Sequence, residues 1–206
     1  MLNRYARAFF TAIFTPIARL LLRLGVSPDA VTVVGTAGVT FGALYFYPIG
    51  ELWWGTLFIT AFVFTDLIDG TMARMSGRTS SWGAFLDSTL DRIGDAAVFG
   101  GLILYFTGRG QDDLTAALAL ACLILGFIVS YAKARAESLG FTANVGIAER
   151  ADRLVATLVT TGFCGLFLPM WVLTAVLAAL AVASLITVLQ RILTVRTQAL
   201  ARPVGS

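Results

Sequence analysis

The chain has 206 residues, of which 58% are hydrophobic and only 13% charged, and its mean hydropathy is +0.84. A soluble domain carries about 25% charged residues and about 45–50% apolar ones, and a chain of this length leaves much of its surface outside any core, so a water-soluble fold is excluded. The absence of histidine rules out a Ser-His-Asp triad, a His-Cys zinc site and a histidine general base, while Cys122 and Cys164 lie in apolar runs as packing residues, with no disulfide framework.

Residues 2–25 open the chain. Arg4 and Arg7 before the apolar stretch Phe9 to Ile17 imitate a signal peptide, but Pro16, Arg19 and Arg23 follow without an A-x-A cleavage site. Arg19 and Arg23 share one helical face among Leu20, Leu21, Leu22 and Leu24, which points to an amphipathic helix on the membrane surface. Apolar runs follow at about residues 31–49, 52–73, 84–107, 114–132, 154–169 and 170–190. Breaks fall at Gly50 and Glu51, from Gly77 to Ser81, from Gly108 to Asp113, across the longer polar stretch Glu137 to Arg153, and at Pro169. A helix satisfies its own backbone in lipid, and a span needs about 20 residues. The expected fold is an all-α integral membrane protein, with six transmembrane helices across about residues 31–196 preceded by the N-terminal amphipathic interfacial helix. Residues 1–206 are expected to form a single domain, since the spans leave no room for another.

Fourteen of the fifteen basic residues fall on one side of this layout: Arg4, Arg7, Arg19, Arg23, Arg74, Arg78, Arg92, Lys133, Arg135, Arg150, Arg153, Arg191, Arg196 and Arg202. Arg109 alone falls on the other. The positive-inside rule puts both termini, and the second and fourth connections, in the cytoplasm of a multi-pass plasma-membrane protein.

Ionisable groups in a span cost about 2.5–3.5 kcal/mol each on insertion scales and point to function. Asp66 and Asp69 lie near the end of the second run, and Asp87, Asp91 and Asp95 near the start of the third. Offsets of three and four put each group on one helical face, and a short loop makes the two spans antiparallel neighbours. Carboxylates gathered in low dielectric repel unless cancelled. Only Arg74 and Arg92 are near in sequence, so ion pairing alone explains the cluster poorly, and oxygen-only ligation favours magnesium or manganese. Asp95, one turn deeper, is left outside the ligand set. Gly70 and Gly83 flank the acids and allow either ligand approach or close helix packing.

Written out, the stretch Asp66-Leu67-Ile68-Asp69-Gly70-Thr71-Met72-Ala73-Arg74, eight residues, then Gly83-Ala84-Phe85-Leu86-Asp87-Ser88-Thr89-Leu90-Asp91 resembles the signature of the CDP-alcohol phosphotransferases, D-x-x-D-G-x-x-A-R-x8-G-x-x-x-D-x-x-x-D, at every specified position. The resemblance implies two divalent cations, Mg2+ or Mn2+, held by Asp66, Asp69, Asp87 and Asp91. It implies transfer of a phosphatidyl group from a CDP-lipid by direct in-line attack, with Asp91 as general base. Gly70, Arg74 and Ser80 are the expected contacts to the CDP-lipid. Asp29, Ala30, Val31 and Thr32, at the entry to the first span, are further candidates, although Asp29 also reads as an N-cap and a helix N-terminus attracts anions.

Within the family, the stretches Thr15-Pro16-Ile17-Ala18-Arg19, Ser130 to Glu137, Glu149 to Arg153 and Gln190-Arg191 are most similar to bacterial phosphatidylinositol phosphate synthases. That similarity implies CDP-diacylglycerol and inositol 1-phosphate as substrates, a setting in membrane lipid, no nucleic-acid partner, and a homodimer. Lys133, Arg153 and Arg191, at the ends of the last three spans, are the expected acceptor-phosphate ligands, although basic residues there also set topology. Two rival readings are transfer to glycerol 3-phosphate and cation transport. A transporter calls for midplane carboxylates and an inverted repeat, whereas these acids lie close to one face.

Overall fold

The computed structural model describes residues 14–77 and 80–201, and among them every regular element is an α-helix. The described part of α1 covers 14–23. It is followed by α2 (Pro28–Phe46), α3 (Leu52–Val63), α4 (Thr65–Ser76), α5 (Ser81–Thr107), α6 (Asp113–Ser138), α7 (Arg150–Cys164) and α8 (Met170–Ala201). Residues 2–13 of the expected interfacial helix, and Arg4, Arg7, Arg78 and Arg202 of the charge pattern, lie outside the described residues.

Local chemistry sets the helix starts. Ser27 caps α2 by accepting the Ala30 N–H at 3.2 Å, with Pro28 at the first helical position. Asp29 is therefore not the cap: it stands inside the first turn, with its carboxylate left for other work. Ser80 caps α5 by accepting the Gly83 N–H at 3.0 Å. Asp112 caps α6, taking the Thr115 hydroxyl at 2.5 Å and its N–H at 3.1 Å, and these donors hold the carboxyl below its usual range. A reciprocal box of Glu149 and Asp152 opens α7.

The helix pairs α2–α5, α5–α6, α6–α8, α8–α7, α7–α3 and α3–α2 close into a ring of six, and α4 continues α3 along the side of α2. The ring encloses a core that includes Ala43, Tyr47, Leu102, Phe106, Ala119, Leu173 and Leu177. Tyr47 is fully buried and shares a hydrogen bond of 3.0 Å with Thr56. Large apolar side chains also point outward, among them Phe167 at 70% exposure and Leu193 at 58%. An outer surface of this kind suits lipid, where apolar side chains gain nothing by hiding.

Among the described residues four segments are long and apolar enough to cross a bilayer: Pro28–Phe46, Leu52–Ser76, Asp113–Ser138 and Met170–Ala201. The second is broken at Phe64, between α3 and α4, where the Thr65 hydroxyl donates to the Phe62 carbonyl at 2.6 Å. Gly35 of α2 makes room for this, since a Cβ there would lie 1.9 Å from Thr65 Oγ1. The break starts α4 immediately before Asp66, so that this carboxylate sits in the first turn of a new helix, where the dipole favours a negative charge.

The candidate active site

Five aspartates are carried on α4 and α5, which both pack on α2 instead of packing on each other as the neighbouring spans expected from the short loop. On α4, Asp69 is buried and accepts the Thr32 hydroxyl of α2 at 2.6 Å. Asp87 is exposed, Asp91 half-buried and Asp95 buried, one turn apart in succession along α5. Thr32 thus fixes the position of Asp69 from a third helix, a local reason for a threonine at the mouth of α2.

Two clefts flank the acids. One, of about 510 Å3, is lined by Asp29 and Thr32 of α2, Asp66, Asp69 and Gly70 of α4, and Ser80, Gly83 and Asp87 around the start of α5. The other, of about 730 Å3, is lined by Ser88, Asp91, Arg92, Ser130, Lys133, Glu137, Glu149, Arg150 and Arg191. Ala84 lines both, and Asp87 and Asp91, one turn apart, face one cleft each. The first is acidic and the second carries four of the molecule's cations, so the α4–α5 edge divides sites of opposite character.

The acids do not close on a single point. Among the described residues no three acidic or cysteine side chains converge to chelate an ion. The guanidinium of Arg150 stands among them instead: Nη1 is 2.8 Å from Asp91 and 3.8 Å from Asp66, and Nε is 3.1 Å from Asp95. Arg92 lies 3.2 Å from Asp95 and 3.9 Å from Asp91, and also donates to Ser130 of α6. Five carboxylates against two guanidinium groups leave an excess of hard oxygen donors, and that donor chemistry fits a divalent cation.

The profile of the CDP-alcohol phosphatidyltransferase family matches residues 25–195, which takes in both clefts. The chain belongs to that family. It is 55% identical over 204 residues to the phosphatidylinositol phosphate synthase of Streptomyces avermitilis, covering 96% of this chain and 84% of that protein. Crystal structures of the Mycobacterium tuberculosis phosphatidylinositol phosphate synthase are similar at 42% identity. The one with CDP-DAG bound has a TM-score of 0.86 and covers 90% of this chain and 94% of that one. The one in complex with manganese and citrate also has a TM-score of 0.86, covering 89% of each.

The four aspartates of the family signature line the clefts, as do Asp29, Thr32, Gly70 and Ser80. Ala30 and Val31 stay off both linings. Arg74 is on neither lining but stands beside Gly70, its Nη2 donating to Thr71 at 3.1 Å and its Nη1 3.5 Å from where a Gly70 Cβ would be. Lys133 lines the larger cleft beside Glu137 at 3.9 Å. Arg191 lines it too, donating to the carbonyls of Val145 at 3.0 Å and Val129 at 2.5 Å. Arg153 is 2% exposed and lies behind the lining, donating to the Ala148 carbonyl at 3.1 Å and packed on Gly126, with Nη2 buried and unpartnered.

In the sequence Arg150 reads as a marker of topology and as part of the Glu149 to Arg153 stretch of the family resemblance, not as a partner of the acids. The one local sign is that a cation at the first helical position opposes the helix dipole, which does not by itself name its partners.

Proposed function

We propose that this chain transfers the phosphatidyl group of CDP-diacylglycerol to inositol 1-phosphate, giving phosphatidylinositol phosphate and CMP. The observation that carries the reading is the pair of clefts that share Ala84, with Asp66 and Asp87 on the acidic one and Asp91 on the cationic one. The relatives named phosphatidylinositol phosphate synthase support it, as does the similar structure solved with CDP-DAG bound.

The CDP-lipid lies in the acidic cleft, with Asp29, Thr32, Gly70 and Ser80 around its nucleotide and Arg74 beside Gly70. Two Mg2+ or Mn2+ ions held by Asp66, Asp69, Asp87 and Asp91 supply positive charge to the diphosphate and the departing CMP. Inositol 1-phosphate enters the cationic cleft, where Lys133 and Arg191 hold its phosphate and Arg153 backs them from behind. Asp91 takes the proton of the acceptor hydroxyl as its oxygen attacks the phosphorus that carries diacylglycerol. The bond from that phosphorus to CMP breaks.

The domain is a single membrane unit over residues 1–206. Its six spans are α2, α3 with α4, α5, α6, α7 and α8, following an interfacial helix that includes α1. The 27 residues of α5 span about 40 Å at 1.5 Å per residue, so its charges and not its length set it apart from the four apolar segments. Termini and active site face the cytoplasm of the plasma membrane, a reading that the distribution of basic residues supports, and the enzyme is a homodimer.

The test is CMP release from CDP-diacylglycerol by the purified protein with Mg2+ and one acceptor at a time: inositol 1-phosphate, free inositol, glycerol 3-phosphate or serine. Release with inositol 1-phosphate well above the others is expected. Preference for glycerol 3-phosphate replaces the acceptor and keeps the family chemistry, whereas no release with any acceptor overturns the reading.

A further inference from the structure

Arg150 reaches the acids alone from its helix. The α7 backbone packs on α3 and α8, while its first side chain crosses to Asp66 on α4 and to Asp91 and Asp95 on α5. The guanidinium has two unlike ends. Nη1 holds Asp66 and Asp91, both belonging to the motif, whereas Nε holds Asp95, which lies outside it. A cavity of about 20 Å3 has Asp66, Asp91 and Arg150 among its lining residues, room for one water-sized particle.

We propose that Arg150 is an exchangeable counter-cation, a positioning residue that holds Asp66 and Asp91 while no metal is bound and yields both carboxylates to a divalent cation. It stays tethered to Asp95 throughout. The physical ground is that a guanidinium within 4 Å of a carboxylate and a divalent cation on the same carboxylate are like charges at short range, so the two bind at each other's expense. The tether matters as much as the exchange: Asp95, also paired with Arg92, keeps the displaced guanidinium beside the larger cleft, which it lines. This rests on the metal assignment made above.

Competition predicts an unusual sign. Removing an ordinary structural residue weakens metal binding or leaves it unchanged, whereas removing a competitor strengthens it. The purified full-length protein is titrated with Mn2+ in the absence of substrate, the free ion being followed by its electron paramagnetic resonance signal. Arg150→Gln is expected to bind Mn2+ about 10-fold or more tightly than the unaltered protein, the scale of one lost charge-assisted hydrogen bond. Its melting temperature in chelator should fall, and Mn2+ should restore it. Arg150→Lys, which keeps the charge but cannot hold Asp91 and Asp95 together, should bind with intermediate affinity, and it gives the same reading should the glutamine variant not fold. Unchanged or weaker Mn2+ binding by the folded variants overturns the proposal. Because the titration needs no substrate, the two ideas fail separately. Tighter binding without CMP release by the unaltered protein keeps the counter-cation and removes the enzymatic reading. CMP release with unchanged Mn2+ affinity does the reverse.

Discussion

Asp87 and Asp91 differ by one helical turn and face different clefts, so their substitution should separate. Asp66→Asn or Asp87→Asn is expected to abolish CMP release at saturating Mg2+ while the protein remains folded, because each removes a metal charge at constant side-chain size. Near-normal release by either variant defeats the two-metal assignment. Asp91→Asn should slow the chemical step by about 10² to 10⁴ with little change in CDP-lipid affinity, measured by single-turnover kinetics alongside equilibrium binding. Lost affinity with an intact rate makes Asp91 a ligand only. On the cationic side, Lys133→Ala or Arg191→Ala should raise the KM for inositol 1-phosphate by about 10- to 150-fold, the equivalent of one charge-assisted hydrogen bond at 1.5–3 kcal/mol. The KM for CDP-diacylglycerol should stay as it was, and equal loss for both substrates reassigns these cations to the fold. The acids were legible because carboxylates in apolar runs are costly to insert, and offsets of three and four line them up on one face. Arg150 was not, since its partners lie on other helices and a basic residue at a span end already has a reason to be there.

At the scale of elements, the connection from α6 to α7 is strapped to α8. Thr187 accepts the N–H groups of Ile147 at 3.2 Å and Ala148 at 3.1 Å. Gln198 accepts the Thr142 N–H at 3.0 Å and donates to its carbonyl at 2.6 Å. This accounts for a difference from the sequence, which places the end of the last apolar run near residue 190 although α8 continues to Ala201. The last turns carry Gln198, which holds the loop, and periodicity of apolar residues does not register such work. The break at Phe64 was equally hidden, since apolar residues run up to it and the glycine that makes room for it lies on another helix. Thr187→Val should leave the Ile147 and Ala148 amides unpaired and speed their hydrogen exchange by about 5- to 10-fold, the equivalent of about 1 kcal/mol. Exchange in α2 and α5 should be unaffected. Unchanged exchange at the two amides means that the strap is held elsewhere.

The whole molecule is a ring of six helices whose charged ends gather on one side. Cys122 and Cys164 are both buried, so an added cysteine reports alone. Arg109→Cys should label with an impermeant maleimide from outside intact cells, and Arg196→Cys only after the membrane is opened. Both labelling from one side means that the count of spans between them is even, against the topology proposed here. The ring has a further consequence for how it is made. Asp66 through Asp95 leave the ribosome well before their main counter-charge, for Arg150 follows Asp95 by 55 positions. Until α7 enters the membrane, two helices carry an acidic seam with only Arg74, Arg78 and Arg92 near it in the sequence, in a solvent that punishes unpaired charge. Synthesis therefore passes through a half-made protein that should be cleared by membrane proteases or kept by cytoplasmic magnesium. A nascent chain arrested before Arg150 should be degraded faster than one arrested after α7, and the gap should narrow as magnesium rises.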